Sequence, residues 1–86
     1  MYSLEIEEEV SQTFKRLLRK DRKQLEAVNK KIEQILLDPL QFKPLRYPLE
    51  SLRRVHVGSF VLIYKVMENP PTVRIVKYKH HDEAYL

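Results

Sequence analysis

Apolar and polar positions change their spacing along this chain, and each change marks an element. Tyr2, Leu4 and Ile6 alternate with Ser3 and Glu5, the period of two that predicts a short, half-buried strand. From Val10 the spacing becomes helical. Val10, Phe14, Leu17 and Leu18 recur along one side of a helix reaching about Lys20, and Glu7, Glu8 and Glu9 fall at its start, where the helix dipole favours acids. Asp21 followed by Gln24 has the spacing of a capping box. It opens a second helix with Leu25, Val28, Ile32, Ile35 and Leu36 as its apolar stripe, ending at Asp38-Pro39. Residues 39–49, with Pro39, Pro44 and Pro48, keep neither period and form the long connection. Two strands follow, Leu52–Val57 and Phe60–Met67, around Gly58-Ser59. A two-residue loop that begins with glycine predicts a type II′ hairpin. Pro70-Pro71 marks the next turn, over Glu68 to Thr72, and Val73–Tyr78 is the last strand.

The order β-α-α-β-β-β predicts an α+β fold of one domain over residues 1–86: an N-terminal strand, an antiparallel helical hairpin and a three-strand antiparallel meander, with the helices on one face of the sheet. The tight turn also sets which residues share a face. If Val57 pairs with Phe60, then His56 opposes Val61, Val55 opposes Leu62, Arg54 opposes Ile63 and Arg53 opposes Tyr64. Val55, Val57, Phe60, Leu62 and Tyr64 then form the face for the helices. Arg54, His56, Val61, Ile63 and Lys65 form the other, a mixed basic and apolar surface suited to a site floored by the sheet.

Composition narrows the classes of function. A chain of 86 residues has no room for a dinucleotide-binding fold or a deep cavity between domains. Without cysteine, neither disulfides nor thiolate metal sites are available. The longest apolar run, Phe60 to Tyr64, is far short of the roughly 20 residues of a membrane span. Glu5, Glu7, Glu8 and Glu9 occupy the place of a signal segment, so the expected location is cytoplasmic, with no membrane partner. The formal net charge of +4 understates the basic surface, because four of the twelve acids lie in the first ten residues. A polyanion is the natural partner for the rest.

Candidate chemistry gathers at the C-terminal end. His56 lies near the hairpin tip, and His80 and His81 follow the last strand in Lys77-Tyr78-Lys79-His80-His81-Asp82-Glu83-Ala84-Tyr85. A last strand beside the hairpin is expected to bring this tail near Arg54 and His56. Imidazole exchanges protons near neutrality, while Arg and Lys beside it neutralise phosphate. His80-His81-Asp82-Glu83 also contains metal-ligating types. Consecutive residues of an extended chain point alternately to opposite sides, however, so at most two are expected to meet one ion. The expectation is no metal and no cofactor. No phosphate loop or serine-nucleophile motif occurs. Of the five tyrosines, Tyr2, Tyr64 and Tyr78 are expected to pack within strands, leaving Tyr47 and Tyr85 as candidate stacking faces for bases.

Taken together, the element order, the hairpin Arg54-Val55-His56-Val57-Gly58-Ser59-Phe60-Val61-Leu62-Ile63-Tyr64 and the terminal His80-His81-Asp82-Glu83-Ala84-Tyr85 resemble the RelE/ParE toxin superfamily. Its members commonly carry an Arg-Val-Gly-Asp-Tyr-Arg-x-x-Tyr hairpin and a terminal His-Arg-x-x-x-Tyr. The resemblance implies the toxin of a toxin–antitoxin pair, held in check by a cognate antitoxin protein. Its ribonuclease members act without metal in the ribosomal A site, where the ribose 2′-hydroxyl of the messenger attacks the neighbouring phosphate and translation stops. By position, Arg54 matches a basic residue of the active-site strand, His56 the first arginine of the hairpin, and Lys79 a catalytic arginine. His80 and His81 match the terminal His-Arg, and Tyr85 the terminal tyrosine. These six are the candidate catalytic residues. Arg53, Lys65, Lys77, Lys30 and Lys31 are the candidate contacts to RNA and the ribosome.

Three departures bear on activity. Val61 stands where the family has the second hairpin arginine, Phe60 replaces tyrosine and Ser59 replaces aspartate. Loss of a cation over the scissile phosphate must be offset by Arg54, Lys79 or a histidine, and an acid–base pair of His56 with His80 or His81 is the arrangement expected of a surviving endoribonuclease. The same superfamily includes gyrase inhibitors that are not enzymes. A homologue that has kept the fold and lost toxicity is the third possibility.

Overall fold

The computed structural model describes residues 1–84. Its elements are β1 (Ser3–Ile6), α1 (Glu8–Lys20), α2 (Arg22–Leu37), β2 (Leu52–Val57), β3 (Phe60–Glu68) and β4 (Pro71–His80). Within α1, Val10 and Phe14 face inward with Leu17 packed beside them, whereas Leu18, one position round the helix, is exposed. Asp21 caps α2 by accepting from the Gln24 backbone N–H at 3.1 Å. The reciprocal half of the capping box is not made. The Gln24 side chain donates instead to the Tyr78 hydroxyl, tying the start of α2 to the sheet.

The four strands lie in the order β1-β4-β3-β2. β2 and β3 pair antiparallel in the expected register, from Val57 opposite Phe60 to Arg53 opposite Tyr64. Gly58 has φ +61° and is the one described residue in that region, as the first position of a type II′ turn requires. β4 is longer than the alternation from Val73 to Tyr78 predicted. It begins at Pro71, where a missing N–H costs no ladder bond, and runs through Lys79 to His80. β1 pairs parallel with β4, from Ser3 opposite Thr72 to Ile6 opposite Ile75. The proline-rich connection also contributes pairing. Leu45 N–H donates to Leu52 O at 2.9 Å and Arg54 N–H to Lys43 O at 3.2 Å, with Pro44 bridged to Arg53 on the outer edge of β2.

Helices cover one face of the sheet. Val10, Phe14, Val28, Ile32 and Ile35 pack on Val55, Val57, Leu62, Tyr64, Val73, Ile75 and Tyr78. A second, smaller cluster of Val61, Ile63 and Ala84, flanked by Leu45, Leu52 and Val76, lies on the opposite face. The two-face division of the hairpin thus follows the alternation in the sequence.

One irregularity decides the facing of β4. Tyr64 opposes Ile75, but Ile63 opposes Lys77, so Val76 is an extra residue in the ladder. Strict alternation from Val73 and Ile75 would have aimed Lys77 and Lys79 at the helices. Burying an unpaired lysine costs several kcal/mol, whereas one lost ladder bond costs about 1 kcal/mol. The bulge therefore wins. It returns Tyr78 to the core, edge-on to Phe14 and stacked on Phe60, and turns both lysines to the open face.

Candidate nucleic-acid interface

Pairing across the three-strand meander arranges the open face in rows. Arg54, Ile63 and Lys77 form one, His56, Val61 and Lys79 the next, and Leu52, Lys65 and Arg74 a third. Strands lie about 4.8 Å apart, so the outer members of a row stand on backbones about 10 Å apart with an apolar residue between them in the first two rows. His56 and Lys79 are exposed and Arg54 is half-buried. Four cationic or imidazole side chains thus frame an apolar floor of Val61 and Ile63.

That floor is covered from above. The chain turns after His80, with Glu83 N–H donating to His80 O at 2.8 Å, and Ala84 lands on Val61 and Ile63. Ala84 is only 2% exposed. Lys77 Nζ donates to Ala84 O at 3.2 Å and holds the turn in place. Lys79 leans over the other edge to Glu9 of α1 at 3.6 Å, an exposed pair that water screens. Val61 is therefore fully buried beneath the tail.

The expected site residues divide into three groups. Arg54, His56, Lys65, Lys77 and Lys79 share the open face. Lys31 joins them at the β2 edge, where it borders a groove with Phe42, Lys43, Arg54 and His56. Lys30, its exposed neighbour on α2, does not line that groove. Arg53 is set apart. It lies on the helix-facing side, and its Nη1 donates to Phe42 O at 2.6 Å and Leu40 O at 3.4 Å, so its work is to hold the connection against β2.

His56 and His80 do not meet as a direct pair. His80 opposes Phe60, on the helix-facing side of the ladder, and its ring packs edge-on against that of Phe60 at 5.6 Å. His81 sits at the rim, bound to Ser59 O through its backbone N–H at 2.9 Å. His56 is separated from the β4 end by the whole of β3. The expected His56–His80 contact is thus prevented by the odd-even facing of the strands. Tyr85 lies outside the described residues.

His80 and His81 instead meet each other. Their ring centroids are 4.5 Å apart, and both rings reach Asp82. Three potential ligand atoms, one from each residue, lie within 4.8 Å of one another. The expectation that at most two could converge assumed an extended tail, and it fails because β4 ends at His80 and the chain turns there.

Sequence reading missed Lys43 and Arg46. Both line a groove beside Arg54 with Pro44, Leu45 and Leu49. The signal was available in Lys43-Pro44, a cation fixed beside the only residue type that can flank an edge without donating to it. Among the tyrosines, Tyr64 and Tyr78 are buried, Tyr2 donates to both Glu68 carboxylate oxygens at 2.6 and 2.8 Å, and Tyr47 is exposed. Burial pushes the Tyr64 phenol up to about 12 and raises that of Tyr78, while the bond to Glu68 raises that of Tyr2. All three are structural groups remote from the rows of the open face.

This fold, a sheet of four strands with a basic open face and a C-terminal turn across it, defines a class. Residues 4–85 match the family described as the ParE toxin of the type II toxin–antitoxin system. A Methanocaldococcus jannaschii chain that bears the toxin name RelE4 is 42% identical over 86 residues, covering 99% of this chain and 92% of its own. The chain therefore belongs to the RelE/ParE superfamily of type II toxin–antitoxin toxins. Among solved structures, a YoeB/ParE toxin from Agrobacterium tumefaciens superposes with a TM-score of 0.82 at 14% identity, covering 92% of this chain and 98% of that one. The RelBE2 toxin–antitoxin complex of Mycobacterium tuberculosis includes a chain that matches with a TM-score of 0.71 at 26% identity, covering 93% and 98%. Among the described residues, no helix is long and apolar enough to cross a membrane.

Proposed function

We propose that this toxin acts in the cytoplasm as a single-domain, ribosome-dependent endoribonuclease that cuts messenger RNA in the A site and so inhibits translation. The observation that carries the reading is the pair of rows Arg54–Ile63–Lys77 and His56–Val61–Lys79, which places cations and an imidazole on both sides of an apolar floor. A phosphodiester laid over the tail that caps this floor has His56 on one side and Lys79 on the other. Cleavage requires a base to take the 2′-hydroxyl proton, cations to stabilise the charge developing on phosphate, and an acid for the departing 5′-oxygen. His56 is suited to proton transfer, and Arg54, Lys77 and Lys79 to charge stabilisation. His80, His81 and Tyr85 are the remaining candidates for the acid. The chemistry asks for no metal. Lys31, Lys43 and Lys65 extend the basic surface toward RNA.

A cognate antitoxin is the protein partner, as in the complex from Mycobacterium tuberculosis. An acidic segment lying over the open face would silence it by displacing RNA. Burial of Val61 beneath Ala84 favours a second reading, in which the toxin inhibits gyrase without cleaving nucleic acid, and the ParE description of the matched family agrees with it.

The test is a cleavage map on a messenger held in a programmed ribosome. Cuts in the A site that fall by about 100-fold or more in His56→Ala and in Lys79→Ala support the nuclease. Absence of cuts from folded protein that binds the ribosome overturns it, and a supercoiling assay then decides whether gyrase is the target.

A further inference from the structure

The turn after β4 gathers three side chains of metal-ligating type, His80, His81 and Asp82. His81 Nδ1 lies 3.2 Å from Ser59 O. A carbonyl only accepts, so Nδ1 carries the proton in that contact and Nε2 is the ring nitrogen placed to ligate. That Nε2 faces Asp82 Oδ1 at 2.9 Å. His80 Nδ1 lies 3.3 Å from the Asp82 backbone nitrogen and 3.5 Å from Asp82 Oδ2. Two imidazole nitrogens and a carboxylate oxygen thus converge within 4.8 Å of one another. These are the ligand types that a transition-metal ion takes once it displaces the ring protons.

We infer that His80, His81 and Asp82 form a binding site for a divalent transition-metal ion of the zinc type. Zinc bonds to nitrogen and oxygen of about 2.1 Å put tetrahedral ligands about 3.4 Å apart, near the 2.9 Å from His81 Nε2 to Asp82 Oδ1 and the 3.5 Å from His80 Nδ1 to Oδ2. A metal-bound histidine characteristically donates its other ring N–H to a backbone carbonyl, which fixes the tautomer. Ser59 O fills that role for His81. Imidazole with one carboxylate suits zinc, nickel or copper better than magnesium or calcium. Three protein ligands leave a coordination position open to water. A bound ion would fasten the end of β4, the β2–β3 turn and the tail over Val61 into one unit. It would also withdraw both imidazoles from proton transfer, so occupancy would regulate the open face and not serve it.

The inference is independent of what the toxin acts on, and its readout needs no RNA. The full chain is titrated with zinc chloride and followed by calorimetry, with cobalt(II) absorption as a second probe. One saturable ion per chain is expected, with affinity reduced at least roughly tenfold in His81→Ala and in Asp82→Asn and kept in His56→Ala. The three substituted residues are exposed, so the variants retain the fold, which amide spectra verify. Nitrogen-15 shifts of the histidines give an independent reading: zinc is expected to move His81 Nε2 while Nδ1 keeps its proton. Failure to bind, equal binding in the two ligand variants and the parent, loss of binding in His56→Ala, or a His81 ring protonated on both nitrogens at saturating zinc would each overturn the site.

Discussion

Tyr64 sits at the fully buried centre of β3, and its hydroxyl donates to Pro39 O at 2.6 Å, joining the sheet to the end of α2. This one side chain carries a pH dependence whose sign is fixed by its environment. Burial raises the phenol from 10.0 to about 12, so the folded state holds the proton more tightly than the unfolded one. Its contribution is complete below pH 10 and is lost as pH climbs toward 12. Tyr64→Phe removes this alkaline loss but leaves the Pro39 carbonyl without its donor, at about 1–3 kcal/mol. Denaturant midpoints at pH 8 and pH 11 should show the variant weaker than the parent at pH 8, with a smaller gap at pH 11. A constant gap would mean that Tyr64 does not titrate with unfolding.

Elements differ in how openly the sequence declares them. The bulge at Val76 yields a clear expectation, because removing the extra residue makes Ile75 and Lys77 consecutive and lets the ladder close regularly with every face preserved. Deletion of Val76 should therefore keep the fold and cost about 1–2 kcal/mol for the lost partial burial, with Tyr78 still stacked on Phe60. A chain that fails to fold would show that the bulge holds more than the facing of two lysines. The β2–β3 register was legible because Gly58 pins it, and opposed residues then follow by counting. The helices were legible from their stripes. The facing of β4 was not, since the neighbours Ile75 and Val76 are both apolar and alternation does not choose between them. The partner of β1 was also hidden, because pairing with β4 joins distant parts of the chain and leaves no local mark. The site followed the same division. Arg54 and His56 were placed by register, whereas the meeting of His80, His81 and Asp82 depended on a turn that composition does not announce, and Lys43 on pairing by a segment without strand periodicity.

Across the whole molecule, charge is segregated. The acidic first segment turns part of its charge toward β4, through Glu5 with Arg74 at 3.0 Å and Glu9 with Lys79. The opposite edge carries Lys31, Lys43, Arg46 and Arg54. If RNA follows that edge, the logarithm of its affinity should fall linearly with the logarithm of salt. Lys31→Gln and Lys43→Gln should each reduce the slope by about 0.7, the share of one phosphate contact on a single strand. Filter binding over a salt series measures this, and slopes unchanged in both variants would move the RNA path elsewhere.

The position of β1 has a consequence in time. Among the described residues its one neighbour in the sheet is β4, the last of the four strands to be synthesised. A nascent chain can form the helical hairpin from local contacts, but its first strand stays unpaired until the final segment emerges. The rows of the open face also need β4. The toxin therefore cannot assemble its working surface piecemeal on the ribosome that makes it. A chain released early, before Pro71, would be left with a loose first strand, a half-built sheet and none of the rows that need β4.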